Sequence, residues 1–272
     1  MNPSFNIENS TGNNEPAHLL IHAGRQGMEI ACFNKENDWI HWLKIFYFEK
    51  NISDEALALE IKEILSAIPA QQDFEKVDII WTFDQFLLVP QKYYSTDTNA
   101  DMLELVHGNL LDGTTQNDFV YEQNLHVVYK VPSAIKKVIT SFFPKSGQRH
   151  LASLLLNTEK KDLFYVIFYP GTMMVLLRNE HTLLALQQFN YNTPEDAAYY
   201  LLSTCVNNNV KPEDTMIIAA GMLDADSILF SELHKYFKGI SFDTLPAYFK
   251  EEAVKNFPSH YFSNLVASAA CV

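Results

Sequence analysis

The chain has 272 residues, of which 47% are hydrophobic and only 19% charged, with 19 Phe and 13 Tyr. That is ample material for one large core or two smaller ones, and too little charge for a disordered chain. The net charge of −13, with no basic group denser than Lys136-Lys137 or Lys160-Lys161, argues against nucleic-acid binding, which needs a basic face to displace counterions from phosphates.

The first sixteen residues, Met1 to Pro16, are polar and rich in Asn. They lack the charged and apolar regions of a signal peptide and predict a flexible tail. A first domain is expected over 17–144. His18 to Gly27 predicts a strand running into a glycine-bearing turn. Met28 to Phe33 predicts a second strand, and Trp39 to Phe48 a third beyond the polar turn Asn34 to Asp38. Ser53-Asp54-Glu55 has the form of a helix N-cap with acids in the first turn. Leu57, Ile61, Ile64, Leu65 and Ile68 then share one helical stripe, which Pro69 ends. Val77 to Phe83 is nearly all apolar, as a central strand requires. Phe86 to Val89 predicts a short strand closed by Pro90, and Thr98 to His107 a helix. Gly108 to Asp118 predicts a loop, Asn124 to Val131 a strand, and Ser133 to Phe143 a helix stopped by Pro144.

A second domain is expected over 145–272, with the boundary between Pro144 and Asn157. Leu151 to Leu156 fits strand and helix equally. Leu163 to Gly171 predicts a strand entering a Pro-Gly turn, Met173 to Arg178 a second strand, and Thr182 to Phe189 a third. Thr193-Pro194-Glu195-Asp196 resembles a capping box with proline at the first helical position. Ala198, Leu201, Leu202 and Cys205 continue that helix. Thr215 to Gly221 predicts a buried strand, Ser227 to Phe237 a helix, Ile240 to Phe242 a strand, and Ser259 to Ala270 a C-terminal helix. The order strand, strand, strand, helix, strand therefore occurs twice, a repeat of pattern without a repeat of letters.

Cys32, Cys205 and Cys271 are far apart and odd in number, which suits a reducing, cytoplasmic location. No apolar run reaches the ~18–20 residues of a membrane span, so no membrane insertion is expected.

Three antiparallel strands followed by helix, strand, helix and strand resemble the ribonuclease H-like unit. Two in tandem resemble the actin, sugar kinase and heat-shock chaperone superfamily. The implied fold is α/β, with two tandem ribonuclease H-like (actin-like ATPase fold) domains, mixed sheets and an interlobe cleft. More narrowly, the chain is similar to degenerate actin-like cytoplasmic proteins of pilus assembly and type II secretion, and most of all to a Bacteroidetes family assigned that fold. The resemblance rests on the hairpins around Gly24 and Gly171, on Phe86-Leu-Leu-Val-Pro90, and on Val128-Tyr-Lys-Val-Pro132 with its helix ending at Phe143-Pro144. It covers residues 17 to 243 as an architecture.

In active members of the superfamily each first hairpin carries Asp-x-Gly, where the Asp orients Mg²⁺ or water and the Gly admits phosphate. The matching positions here are His22-Ala-Gly24 and Tyr169-Pro-Gly171, and neither imidazole nor phenol replaces a hard oxygen ligand. Arg25 and Thr172 are the residues within reach of a phosphate, and Gly221 matches the turn that contacts adenosine. Asp84, alone after a strand, does not make the carboxylate cluster of a two-metal nuclease. His18 and His22 share a strand face but stand ~13 Å apart, too far to share one metal. No Walker, dinucleotide or nucleophile-elbow motif occurs. The expectation is a non-catalytic interaction or scaffold protein with a protein partner, no resident cofactor, no catalytic residue and no metal. The alternative is a nucleotide-binding protein or weak ATPase using ATP and Mg²⁺ at His22, Gly24, Arg25, Gly171, Thr172 and Gly221.

Overall fold

A computed structural model describes residues 2–9, 17–34, 36–68, 74–108, 112–157, 163–180 and 182–272. The chain divides into two compact units, Met1–Thr158 with Cys271–Val272, and Glu159–Ala270.

The first unit opens with β1 (Phe5–Glu8), β2 (Ala17–Ala23), β3 (Gly27–Asn34) and β4 (Ile40–Tyr47). All seven residues of β2 are buried, as a central strand demands. In α1 (Asp54–Ser66), the Ser53 side chain accepts from the Ala56 N–H and Leu57, Ile61, Ile64 and Leu65 are buried. The expected stop at Pro69 lies outside the described residues. β5 (Phe74–Trp81) follows, then β6 (Phe86–Pro90), α2 (Asn99–His107), β7 (Gly113–Val120), β8 (Leu125–Pro132), α3 (Ser133–Phe142), β9 (Gly147–His150) and α4 (Leu151–Leu156). The main sheet has the order β1-β4-β3-β2-β5-β9, and β6-β8-β7 form a separate three-stranded sheet.

The second unit comprises β10 (Leu163–Tyr169), β11 (Thr172–Asn179), β12 (Thr182–Asn190), α5 (Pro194–Asn207), β13 (Met216–Gly221), α6 (Ile228–Leu233), β14 (Gly239–Phe242) and α7 (Ser263–Ala270). Its sheet has the order β12-β11-β10-β13-β14. The capping box at Thr193 and Asp196 is complete in both directions. Val166, Phe168, Val175, Ala198, Leu201 and Cys205 belong to its core.

The two sheets repeat one topology. β2 pairs antiparallel with β3 and parallel with β5, as β10 does with β11 and β13. β5 pairs parallel with β9, as β13 does with β14. The third strand of each sheet even carries its bulge at the same place: His41 is the extra residue in β4 and Leu184 in β12.

Several expectations need correction. Phe5–Glu8, inside the expected N-terminal tail, is an edge strand paired antiparallel to β4 along Trp42 to Ile45. Its alternation buries Ile7 while Asn6 and Glu8 stay exposed. Gly108 to Asp118, expected as a loop, contributes most of β7, whose polar run is held by an eight-residue ladder with β8. The boundary, expected between Pro144 and Asn157, falls at the far end of that stretch, because β9 adds to the first sheet beside β5. Leu151–Leu156 is helical. The helix from Ser227 ends at Leu233 rather than Phe237, and the C-terminal helix begins at Ser263 after a 3-10 turn over Ser259–Tyr261.

Candidate functional site

The β2–β3 hairpin closes at a two-residue turn, Arg25-Gln26, with the Gly24 N–H donating to the Gly27 carbonyl at 3.1 Å. Three candidate residues, His22, Gly24 and Arg25, share this hairpin. A Cβ on Gly24 would lie 2.1 Å from Thr82 Oγ1 and 3.0 Å from the Thr82 carbonyl oxygen, just past the end of β5. The glycine is thus required by the protein's own parallel strand pair, where the Thr82 N–H donates to the Ala23 carbonyl at 2.9 Å. Arg25 turns toward α1: its guanidinium forms an ion pair with Asp54 and donates to the Ile52 carbonyl at 3.1 Å. A phosphate drawn to Arg25 has to compete with that carboxylate. His22 is buried, with Nδ1 3.2 Å from Glu29 Oε2 across the β2–β3 pair. The two do not meet hydrogen-bond geometry, so neither ring nitrogen has a hydrogen bond within the described residues.

In the second unit the turn is Pro170-Gly171, between the paired residues Tyr169 and Thr172. Gly171 has φ +74°, the value a type II turn requires after proline. Its carbonyl accepts from the Tyr191 N–H at 3.0 Å, and the Tyr191 hydroxyl donates to the Tyr169 carbonyl at 2.9 Å. Thr172 is buried at the start of β11. Gly221 ends β13 opposite Phe168, so all three second-unit candidates lie at one end of this sheet. Gly221 has φ +76°, and a Cβ there would lie 2.2 Å from the Phe168 carbonyl oxygen. That oxygen accepts from the Met222 N–H at 2.7 Å.

The shared register allows the two hairpins to be compared residue by residue. Gly27 opposes Tyr47 at the start of β3, as Thr172 opposes Asn190 at the start of β11. Gly24 therefore corresponds to Tyr169, Gln26 to Gly171, and His22 to Ile167. The sequence pattern had paired Gly24 with Gly171, two residues out of step: Gly24 enters its turn and Gly171 sits inside one. Under either pairing neither segment, 18–27 or 163–172, contains an Asp or Glu. Among the described residues no group of three or more His, Cys, Asp or Glu is arranged to hold a metal ion.

With this frame and these turns, the model of one family matches residues 6–240, and that family is described as a protein of unknown function, DUF3822. The chain belongs to the DUF3822 family. A Bacteroides thetaiotaomicron protein with actin-like ATPase fold and unknown function superposes with a TM-score of 0.77 at 15% identity, covering 95% of this chain and 97% of that one. The DUF3822 chain therefore has the actin-like ATPase fold. The ethanolamine utilization protein EutJ from Carboxydothermus hydrogenoformans gives a TM-score of 0.52 at 10% identity, over 98% of this chain and 93% of that one. The cytoplasmic domain of EpsL, an inner membrane component of the type II secretion system of Vibrio cholerae, gives 0.47 at 10% identity, over 90% and 97%. No curated protein matches the sequence. No helix among the described residues is long and apolar enough to cross a membrane.

Sequence reasoning missed a buried polar network in the first unit of this DUF3822 chain. Asp118 on β7 accepts from the His150 N–H at 2.6 Å, from Ser153 Oγ at 2.6 Å and from the Tyr129 hydroxyl at 3.2 Å. The fully buried His150 ring receives the Ala152 N–H on Nδ1 at 3.1 Å and donates from Nε2 to the Phe83 carbonyl at 2.9 Å. This fixes one neutral tautomer. Burial pushes the His150 imidazole down to about 4 and the Asp118 carboxyl up, while its three donors pull the latter partly back. Ser153 points at the carboxylate and not at the imidazole, so the trio locks β7, β8 and the β9–α4 corner together. It is not a nucleophile with its base. His18 is likewise structural: its two ring nitrogens sit 2.9 Å from Asn37 Oδ1 and Asp78 Oδ2.

Proposed function

We propose that this chain is a non-catalytic interaction or scaffold protein of the cytoplasm, which keeps the actin-like frame without phosphoryl transfer and binds a protein partner. One observation supports the reading above others. Neither hairpin segment, 18–27 or 163–172, supplies a carboxylate, and the only Arg or Lys in those segments, Arg25, is held by Asp54 at the start of α1. Phosphoryl transfer depends on metal-borne neutralisation of charge, and Mg²⁺ takes oxygen ligands. Gly24 is accounted for by the close approach of Thr82, Gly171 by the positive φ of its turn, and Gly221, at the adenosine-like turn, by the Phe168 carbonyl.

The test is thermal unfolding with ATP at millimolar concentration, with and without Mg²⁺. No change in melting temperature is expected. A ligand at a hundred times its dissociation constant adds ~2.7 kcal/mol, so a specific shift would be plain and would overturn the proposal. The second reading, a nucleotide-binding protein, draws on the Gly221 turn between β13 and α6, and that same titration would support it. For the first reading, capture from native lysate should return one reproducible polypeptide partner.

A further inference from the structure

The repeat leaves one edge of the fold unequal. In the first unit the third strand of the repeat, β4, is closed on its outer side by β1, which pairs along Trp42 to Ile45. The Ser4 N–H donates to the Ile45 carbonyl at 2.7 Å and the Asn9 N–H to the His41 carbonyl at 2.8 Å, so the cover extends past both ends of β1. The corresponding strand of the second unit, β12, is the terminal strand of its sheet. Among the described residues, no backbone hydrogen bond reaches β12 from the side away from β11. Counting from the shared bulge, Ala185–Gln188 is the counterpart of Trp42–Ile45.

Open edges of this length are normally blunted by charge, proline or distortion. The nine residues of β12, TLLALQQFN, contain no charge, no proline and no glycine. The bulge at Leu184 does not protect the strand either, since the equivalent bulge at His41 leaves β4 able to carry β1 immediately beyond it. Beside the edge, the Phe189 ring stacks on Tyr200 of α5 at 4.8 Å. Tyr199, 65% exposed, packs edge-on against Tyr200 at 5.5 Å. An incoming strand would find backbone groups to pair with and an aromatic surface flanking them.

We propose that β12 is a homotypic docking edge, on which two copies of this chain join antiparallel about a two-fold axis to make a continuous sheet. An isologous contact has to be complementary to itself. In a chain of net charge −13, two copies of most surface patches bring like charges together, whereas two copies of β12 bring none. Antiparallel pairing of Ala185–Phe189 with itself, centred on Gln187 so that this residue opposes its own copy, also satisfies the backbone groups of both strands at once. The proposal is independent of what the hairpins bind and of any heterologous partner.

The experiment is sedimentation velocity of the full chain over a wide concentration range, with Gln187→Lys and Gln187→Glu variants. Gln187 is exposed, so both substitutions leave the core alone, and unchanged thermal unfolding verifies this. A reversible dimer is expected for the unmodified chain. Each variant alone should dimerise at least about tenfold more weakly, because like charges then face one another across the strand pair. Mixing the two variants should restore association. A chain that stays monomeric throughout overturns the proposal. So does a dimer that neither variant weakens, since its interface then lies elsewhere.

Discussion

An imidazole held entirely inside a protein has to fold uncharged, and His150 meets this condition with its proton on Nε2. In the unfolded chain the same ring titrates near its ordinary value of ~6.5. Its folded value is about 4, so between those limits the unfolded state binds more protons. Stability from this group is complete above ~6.5 and declines as pH falls toward 4, with a slope of at most ~1.4 kcal/mol per pH unit. Asp118 has the opposite sign. Its raised folded value means that its contribution is complete below the unfolded carboxyl value and is lost as pH rises through the folded one, which offsets part of the His150 slope. His150→Asn keeps a good N-cap at α4 but loses the bond to Phe83 and the ring contacts with Phe86 and Tyr129. Urea unfolding should find it ~2–3 kcal/mol less stable at pH 7.5, with a flatter profile between pH 6.5 and 4. The two close-packed glycines give a second expectation. Gly24→Ala meets mainly a side-chain oxygen, Thr82 Oγ1, so Thr82→Ala should recover part of its loss in a double-mutant cycle. Gly221→Ala meets a main-chain oxygen at positive φ, and no side-chain change nearby should rescue it.

β1 does for the first sheet what the sequence pattern of its own four residues barely announces. Removing residues 1–9 should bare the β4 edge, and amide exchange should quicken at Trp42 to Ile45 while the core strands β2 and β5 stay protected. Ile7→Ala, which empties the buried position of β1, should cost ~2 kcal/mol in chemical unfolding. Strands that face apolar surroundings were legible from sequence because burial dictates their letters: β10 and β13 are nearly continuous apolar runs, as are β2 apart from its two histidines and β5 from Ile79 onward. The helices with caps were legible too, as Ser53 and Thr193 act on backbone groups only three residues away. β1 and β7 were not, because their stability comes from ladders with β4 and β8 that are remote in sequence. Gly113-Thr-Thr-Gln-Asn-Asp-Phe-Val120 alternates weakly and reads as loop until its partner is known. The hairpins were located correctly, but their internal register was not. A glycine entering a turn and a glycine inside one look alike in letters and differ only in φ and in what a Cβ would touch. The Asp118 network had no signal in spacing, since its members stand up to 35 residues apart and meet only through the fold.

At the scale of the whole molecule, charge decides which contacts the chain can make with itself. At pH 7 each copy carries −13, and its pI is ≈ 5.1, so two copies repel over distances set by the Debye length, ~10 Å at 0.1 M salt. The strand edge proposed for pairing is uncharged, so the attraction there comes from backbone hydrogen bonds and apolar contact, neither of which salt of moderate strength removes. Repulsion is therefore the only long-range electrostatic contribution. Raising salt from ~20 mM to ~0.3 M at pH 7.5 should tighten the dimer as that repulsion is screened. An interface held by ion pairs would loosen over the same range, and so would a complex between this acidic chain and a basic partner. Sedimentation at the two salt concentrations separates these cases. Lowering pH toward 6 should act in the same direction as salt by reducing net charge, until the cost of keeping His150 neutral begins to unfold the first unit. Association of the wild-type chain followed by sedimentation across pH should thus pass through a maximum on the acid side of neutrality.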